Sequence, residues 1–311
     1  MIELLSLIAF LLIAFSIGSN DTSNAFGICI GCRIISIRRA SLLLFFLVLS
    51  GLIFQGNRVI ETVGENLVTT NMEISAVSLT VSAIIVVIAN LRGIPVSTHQ
   101  VIVGSLSGAG IAFGANFSFK TLCEIVLSWL LSPIVAGILS VLLFISIERF
   151  SKRLGLLEFE RWLEILLICS GMLISYNMGA NELATAIAPL VATDAELGSI
   201  TFFGAVAITL GALLLARRIA ETLCKGIASV DPRSGFSAQF GAGISVYLFT
   251  VLGMPVSTTY SLVGGILAVG LFKSVKTLKV KKIKEIAISW FSAPLVAFFL
   301  GYISSKIFLG V

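Results

Sequence analysis

Charged residues are scarce in this chain. Aspartate, glutamate, lysine and arginine together make up 12% of its 311 residues, whereas a soluble domain carries about 25%. Hydrophobic residues make up 57% of the sequence, and apolar runs such as 41–54, 125–147 and 286–303 leave no room for an aqueous surface. The composition excludes an ordinary soluble domain and predicts an all-α, polytopic protein embedded in the lipid bilayer.

Histidine is almost absent, since His99 is the only one in the sequence. This excludes histidine-based metal or triad chemistry, and the sequence contains no recognisable nucleophile–base pair. We therefore expect neither an enzyme nor an organic cofactor. The net charge of +5 does not indicate nucleic-acid binding, because the basic residues occupy short loops between apolar segments.

The sequence repeats its main motifs. Gly-Ile-Pro-Val-Ser-Thr begins at Gly93, and Gly-Met-Pro-Val-Ser-Thr begins at Gly253, 160 residues later. Ser19–Asp21 has its counterpart in Ala180–Glu182. Duplicated halves in a very apolar chain are typical of secondary transporters, which bind their substrate where the halves meet.

Each half is predicted to be a transmembrane repeat with a broken first helix, a second span, a re-entrant helical hairpin and a closing span. The breaks are expected near 18–24 and 177–185, and the hairpin arms meet at Gly-x-Pro. Three crossings in the first repeat (1–150) invert the second repeat (162–311) relative to it, and a cytoplasmic linker at 151–161 joins the two.

The distribution of basic residues supports the inversion. Threading the chain in this way places 17 of its 21 lysines and arginines on one face, and only Arg58, Arg92, Lys120 and Lys306 fall elsewhere. The positive-inside rule makes that face cytoplasmic and places both termini outside. Hairpins that crossed the membrane completely would leave these sides unchanged, so the charges support the inversion more than the re-entrance.

The two hairpin tips are predicted to bind an anion. Proline fits the first turn of a helix, and the free N–H groups of that turn attract oxyanions. Two such helix starts would face each other, surrounded by hydroxyl and amide groups. The candidate ligands are Ser97, Thr98, Gln100, Ser257, Thr258 and Thr259. The alternative is that these side chains only cap helices or bond to neighbouring backbone.

The polar segments in the two first helices are predicted to bind a cation such as sodium. An acid inside an apolar stretch is costly and indicates a functional site, and carboxylate, amide and hydroxyl oxygens suit hard cations. The candidate ligands are Asn20, Asp21, Asn24, Asn181, Glu182 and Thr185. The alternative is that each acid has only a structural role in a broken helix.

At these residues the chain resembles the inorganic phosphate transporter (PiT) family of sodium- or proton-coupled phosphate permeases. The resemblance lies in Gly18–Gly27, Gly179–Ala186, Pro95–His99 and Pro255–Thr259, and it covers nearly the whole chain. It implies an inverted-repeat fold, inorganic phosphate as substrate, and a co-transported cation. A homodimer is left open.

The sequence departs from the family pattern in ways that favour sodium. Family members often carry intramembrane glutamates on the second span and on the arm before the second tip, but here that span has none and the arm carries Gln239. Fewer titratable groups make proton coupling less plausible. The long cytoplasmic loop of eukaryotic relatives is absent, which implies a prokaryotic inner membrane. Rival hypotheses are a proton-coupled permease, a permease for sulfate or another oxyanion, and an ion channel.

Overall fold

The computed structural model describes residues 2–92, 96–191, 196–227, 231–273 and 280–310; the side chains of 215–227, 280–287 and 289 are outside the description. The first Gly-x-Pro turn therefore lies outside the described residues. So do the side chains of several basic residues that the sequence places on the cytoplasmic face, namely Arg217, Arg218, Lys225, Lys276, Lys279, Lys281, Lys282 and Lys284.

The described part of the chain is helical, apart from one isolated antiparallel bridge between Val68 and Phe117, as the sequence predicts. The helices are α1 (Ile2–Gly31), α2 (Ile37–Gly51), α3 (Asn57–Glu61), α4 (Met72–Arg92), α5 (Thr98–Phe113), α6 (Phe119–Ser151), α7 (Leu156–Asn177), α8 (Ala184–Ile187), α9 (Leu197–Ile227), α10 (Pro232–Val251), α11 (Thr258–Phe272) and α12 (Val280–Phe308). Short π-helical segments occupy Leu52–Gly56, Thr62–Leu67 and Met178–Leu183, and a 3₁₀ turn occupies Ala188–Leu190.

Seven helical stretches within the described residues are long and apolar enough to cross a membrane. They are Ile2–Gly31, Ile37–Leu67, Met72–Arg92, Phe119–Ser151, Leu156–Leu190, Leu197–Leu214 and Trp290–Phe308. Large apolar side chains such as Phe46, Phe54 and Leu214 are exposed, as expected for surfaces that face lipid rather than water. The chain is an integral membrane protein.

The predicted hairpins correspond to α4 with α5 and α10 with α11. Helix α4 has 21 residues and is long enough to span the bilayer, whereas α5 has 16. The arms of the second hairpin have 20 and 15 residues. Insertion of the hairpins from one side of the membrane stays a prediction, because these lengths fit either arrangement.

An ion pair closes the base of the second hairpin. Asp231 caps the N-terminus of α10 by accepting hydrogen bonds from the backbone N–H groups of Arg233 and Ser234, and it pairs with Lys273 at the end of α11. Burial raises the pKa of the Asp231 carboxyl group, but the hydrogen bonds from Lys273 and Ser234 lower it by more than burial raises it. The net pKa therefore lies below its usual value. The carboxylate therefore stays ionised at neutral pH.

The first helix corrects one expectation. Helix α1 runs as a regular α-helix from Ile2 to Gly31, without the break predicted at 18–24. The hydroxyls of Ser19, Thr22 and Ser23 donate to carbonyl oxygens three or four residues earlier in the same helix. These bonds satisfy the side chains locally, so polar residues can enter α1 without unwinding it.

The second half shows a change of helix type at the predicted place. After Asn177 the chain becomes π-helical over Met178–Leu183 and continues as α8. A π-helical turn spreads the backbone hydrogen bonds and often occurs at functional sites. The interruption is therefore a local widening of the helix that contains Asn181 and Glu182.

Close helix contacts occur in reciprocal pairs. A Cβ atom added to Gly18 would lie 1.8 Å from the carbonyl oxygen of Ile208, and one added to Gly179 would lie 1.9 Å from that of Val48. Gly18 and Gly179 are equivalent positions of the two halves, as are Val48 and Ile208. Each first helix thus packs on the second span of the other half. Because the same contact recurs when the two halves are interchanged, the halves are related by a pseudo-twofold axis.

The hairpins follow the same rule. A Cβ atom on Gly104 of α5 would meet the Pro294 carbonyl oxygen at 2.3 Å, and one on Gly264 of α11 would meet that of Pro133 at the same distance. Each hairpin therefore packs on the closing span of the other half. This packing of each half on the other brings residues of both halves together near the pseudo-twofold axis.

Candidate functional site

The two intramembrane acids meet. Asp21 lies about two-thirds of the way along α1, and Glu182 lies in the π-helical segment. Their carboxyl groups interact directly, although 161 positions separate them in the sequence. Two carboxyl groups this close repel each other when both are ionised. The pair is therefore a place where a cation or a proton is strongly favoured.

Asp21 has hydrogen-bonding partners on two helices. Its Oδ1 atom accepts hydrogen bonds from Asn24 Nδ2 at 3.0 Å and from Thr259 Oγ1 at 3.0 Å. Asn24 Nδ2 also donates to Thr259 Oγ1 at 2.8 Å. Because Thr259 belongs to α11, this triangle of oxygen-bearing groups links the first helix of one half to the second hairpin tip.

Glu182 is bonded differently. It is 3% exposed, and besides Asp21 it faces Thr258 in the first turn of α11. Neither Glu182 Oε2 nor Thr258 Oγ1 has a hydrogen-bonding partner among the described residues. Buried polar atoms are almost always paired. Two neighbouring groups whose contact does not meet normal hydrogen-bond geometry therefore leave room for a ligand that bonds to both.

The two hairpin helices begin next to each other. The Tyr260 hydroxyl, in the first turn of α11, donates to Gln100 Oε1, in the first turn of α5, at 3.0 Å. Gln100 and Tyr260 occupy equivalent positions, so this bond joins the halves close to the pseudo-twofold axis. The free N–H groups of both helix starts therefore lie in one region, where they can stabilise an anion.

The hydroxyls at these helix starts differ in their use. Ser257 accepts a hydrogen bond from the Tyr260 backbone N–H at 3.4 Å and caps α11. Ser97 is the equivalent residue of α5, but its side chain makes no capping bond and has no partner among the described residues. Thr98 is half-buried in the first turn. The Ser97 hydroxyl is therefore available to a ligand. The alternative that this side chain only caps its helix does not fit, because it makes no capping bond.

The asparagines that precede the acids hold the hairpins. Asn20 Nδ2 donates to Asn90 Oδ1 near the end of α4. Asn181 Nδ2 donates to Thr250 Oγ1 at 2.7 Å and to the Met254 carbonyl oxygen at 2.9 Å, and its Oδ1 atom accepts from the Val256 N–H at 3.1 Å. The structure thus gives both predicted cation ligands a role in positioning the hairpins.

The remaining predicted ligand, Thr185, donates to the Asn181 carbonyl oxygen at 2.7 Å, so it stabilises the π-helical turn. The structure also brings in residues outside the predicted set. His99 lies against Asn181, Gln239 Nε2 donates to the Asn24 carbonyl oxygen at 3.0 Å, and Trp129 Nε1 donates to the Pro255 carbonyl oxygen at 2.7 Å. The signal for His99 was its place in the first tip motif, at the position that Thr259 occupies in the second.

The donor set suits a hard cation. The Asp21 carboxylate and the Thr259 hydroxyl converge with Asn24, whose amide nitrogen faces both of them. Carboxylate and hydroxyl oxygens are typical ligands of hard ions rather than of zinc or copper. Within the described ranges, no three or more histidine, cysteine, aspartate or glutamate side chains form a metal-binding group. The same region combines this oxygen-rich set with helix starts that favour an anion, so it can hold two ions of opposite charge.

In this membrane protein the helices of each half pack on those of the other half, and buried oxygen ligands and two helix starts lie where the halves meet. This arrangement is that of a transporter rather than an enzyme. Comparison with known proteins defines it further. The phosphate transporter family (PHO4) matches residues 17–158 and 156–301. This chain belongs to the phosphate transporter family.

Relatives match over nearly the full length. A Methanocaldococcus jannaschii protein named "Putative phosphate permease" is 33% identical over 305 residues, which is 97% of this chain and 96% of the relative. The "Sulfate permease CysP" of Bacillus subtilis is 28% identical over 314 residues, 99% of this chain and 88% of that protein. A solved structure described as "The sodium-dependent phosphate transporter" shares the fold, with a TM-score of 0.82 at 24% identity and coverage of 100% and 99%.

Proposed function

We propose that this protein imports inorganic phosphate by symport with sodium. The observation that carries the proposal is the meeting of Asp21 and Glu182 beside the converging starts of α5 and α11. Family membership supports phosphate as the substrate, and the shared fold with a sodium-dependent phosphate transporter supports sodium as the coupling ion.

Sodium is assigned to the acid pair. Asp21 and Glu182 supply charge. Asn24 is a further proposed ligand, whose amide oxygen would have to turn toward the ion because its Nδ2 atom donates to Asp21 and Thr259. Asn20, Asn181 and Thr185 belong to the same cation site as proposed ligands, although their amide N–H or hydroxyl groups hold other parts of the fold. A sodium ion between the acids would remove their mutual repulsion, and this relief is the physical source of its affinity.

Phosphate is assigned to the helix starts, with Ser97, Thr98 and Gln100 from the first hairpin and Ser257, Thr258 and Thr259 from the second. The unpaired hydroxyls of Ser97 and Thr258 are the most direct support, since each can donate to an oxyanion. Thr259 touches both groups of ligands because it donates to Asp21. It therefore couples the occupancy of the cation site to the position of the α11 start.

Coupling follows from electrostatics. A cation at the acid pair offsets the charge of an anion at the helix starts in a low-dielectric setting, so each ion raises the affinity of the protein for the other. Alternating access would come from movement of the hairpins about this site. Asn20 and Asn181, which hold the two hairpins, are the contacts that such movement must change.

The proposed arrangement in the membrane has two repeats, 1–150 and 162–311, of opposite orientation, joined by the linker at 151–161. The reciprocal contacts of Gly18 and Gly179 support two equivalent halves. The charge distribution favours both termini outside a prokaryotic inner membrane.

Uptake into proteoliposomes tests the proposal. Purified protein should accumulate radiolabelled phosphate when sodium is higher outside, and a potassium gradient of equal size should serve as the control. Uptake driven by a proton gradient and indifferent to sodium would overturn sodium coupling. Rapid flux that collapses gradients without accumulation would instead indicate a channel.

Sulfate transport is the second candidate, because a relative that is aligned with 99% of this chain is named a sulfate permease. Direct uptake of radiolabelled sulfate under the same sodium gradient separates the two. Family membership alone does not decide between them, so the choice must come from the side chains of the site.

A further inference from the structure

Phosphate and sulfate have the same tetrahedral shape but differ in one property. At neutral pH phosphate keeps at least one proton and can donate a hydrogen bond, whereas sulfate has none to donate. A buried hydrogen-bond acceptor in the binding site therefore distinguishes them. Phosphate would satisfy the acceptor, but sulfate would leave it unpaired and facing a like charge.

The structure contains such an acceptor at Glu182. Its Oε2 atom is buried and has no partner among the described residues. The equivalent acid, Asp21, differs: its Oδ1 atom accepts from both Asn24 and Thr259, and neither of its oxygens is a buried atom without a partner. The two acids occupy matching positions in the halves, yet only Glu182 presents an unpaired oxygen of this kind in the described site.

The position of Glu182 places its carboxyl group at the boundary between the two proposed ion sites. Its carboxyl group faces Asp21 on one side and Thr258 on the other. Thr258 begins α11 and has its own unpaired, fully buried hydroxyl. A carboxylate beside a bound anion is repulsive unless a proton or a cation lies between them, so a proton on the substrate would resolve the contact.

We propose that Glu182 Oε2 accepts a hydrogen bond from a protonated oxygen of the substrate, and that this contact selects hydrogen phosphate and hydrogen arsenate over sulfate. The inference rests on the proposed function and names the residue that sets its specificity. In this assignment Oε2 contacts the substrate and leaves Oε1 for the cation shared with Asp21.

Wild-type protein gives the first test, with four probes: phosphate, arsenate, sulfate and monofluorophosphate, in which fluorine replaces the hydroxyl group of phosphate. Affinity is measured by thermal stabilisation of the purified full chain in saturating sodium, which does not require transport. Phosphate and arsenate should bind, and sulfate and monofluorophosphate should bind at least about 100-fold more weakly. Monofluorophosphate or sulfate that binds as tightly as phosphate would overturn the proposal.

Glu182→Gln gives the second test. Its amide N–H can donate to a fully ionised oxygen, so the preference for phosphate over sulfate should fall by at least about tenfold. Glu124→Gln is the control because it makes the same chemical change at an exposed acid near the start of α6, which pairs with Lys120; its phosphate-to-sulfate affinity ratio should match that of the wild type. Gel filtration confirms that each variant is folded.

An unchanged ratio in folded Glu182→Gln, or binding of neither anion, would contradict the assignment. An equal change of the ratio in Glu124→Gln would also contradict it. Failure of the proposed function looks different. If the wild-type protein prefers phosphate but shows no sodium dependence, symport is refuted and the role of Glu182 is not. If sodium drives the uptake of sulfate as well as that of phosphate, the role of Glu182 in selectivity is refuted and sodium symport is not.

Discussion

The two halves of the molecule keep the same positions but use them differently. In the first half, Asp21 and Asn24 are half-buried and bonded to Thr259 of the opposite hairpin. In the second half, Glu182 is buried and retains an unpaired oxygen. The duplication therefore supplies a symmetric frame whose two acids have separate tasks.

The hairpins show the same divergence. Equivalent positions carry His99 in the first tip and Thr259 in the second, and Gln100 in the first and Tyr260 in the second. The Gln100–Tyr260 bond joins two different side chains, with the tyrosine hydroxyl as donor and the glutamine amide oxygen as acceptor. The sequence differences between the repeats therefore make the two tips chemically different.

The largest expected effect comes from the acid of the first half. Asp21→Asn should lower sodium-driven phosphate uptake at least about 100-fold, since it removes a proposed charged ligand of the cation. The initial rate of uptake into proteoliposomes measures this. In sodium-free buffer the same variant should melt at a higher temperature than the wild type, because the repulsion with Glu182 is gone.

Ser23→Ala is the matched control for Asp21→Asn. The Ser23 hydroxyl is half-buried two residues away, and it bonds to the Asn20 carbonyl oxygen within α1. Its removal should leave uptake near the wild-type rate. Near-normal uptake by Asp21→Asn would remove this residue from the proposed cation site.

The reciprocal glycines should give the next largest effect. Gly18→Ala and Gly179→Ala each place a Cβ atom against a backbone carbonyl group, so each should cost about 3 kcal/mol or more of folding free energy. Gly155→Ala is the control, because nothing lies within 4 Å of the added atom. The yield of monodisperse protein and its melting temperature report the effect. Loss at only one of the two glycines would break the equivalence of the halves.

The paired asparagines sharpen the comparison further. Asn181→Ala removes three hydrogen bonds to the second hairpin and should destabilise the protein by about 3 kcal/mol, whereas Asn20→Ala loses one bond to Asn90 and should cost about 1 kcal/mol. Thermal unfolding in detergent measures both. Equal losses would show that the two hairpins are held with the same strength, contrary to the structure.

Tyr260→Phe should give the smallest change. It removes the hydroxyl that donates to Gln100, a loss of about 1 kcal/mol, and should raise the KM for phosphate about fivefold. Tyr302→Phe is the control, since its ring can keep the contact with Lys306. Phosphate kinetics identical to those of the wild type in Tyr260→Phe would mean that the bond across the axis does not position the substrate.

Much of the fold could be predicted from the sequence, because apolar length and repeated motifs depend on local composition. The hairpin arms, the closing spans and the helix starts at Thr98 and Thr258 follow directly from the Gly-x-Pro motifs and their flanking apolar runs. The continuity of α1 could not be predicted, since polar residues such as Thr22 bond within a regular helix as easily as they mark a break.

The candidate site was harder to predict in detail. The repeats indicated that Asp21 and Glu182 are equivalent. Their direct contact, however, depends on the packing of each first helix against the other half, which is seen at Gly18 and Gly179. Tyr260 was not among the predicted ligands, although the sequence shows that it occupies the position equivalent to Gln100 in the repeated motif. Hydrogen bonds that join distant segments are set by tertiary packing, and no local pattern encodes them.

The central claim is that a cation at the acid pair and an anion at the hairpin starts stabilise each other. The most direct test is the affinity of the wild-type protein for phosphate, measured by isothermal titration calorimetry at constant ionic strength with sodium or with choline as the cation. The account predicts that sodium tightens phosphate binding at least about tenfold, and that phosphate tightens sodium binding by the same factor. Phosphate affinity that is equal in sodium and in choline would contradict it.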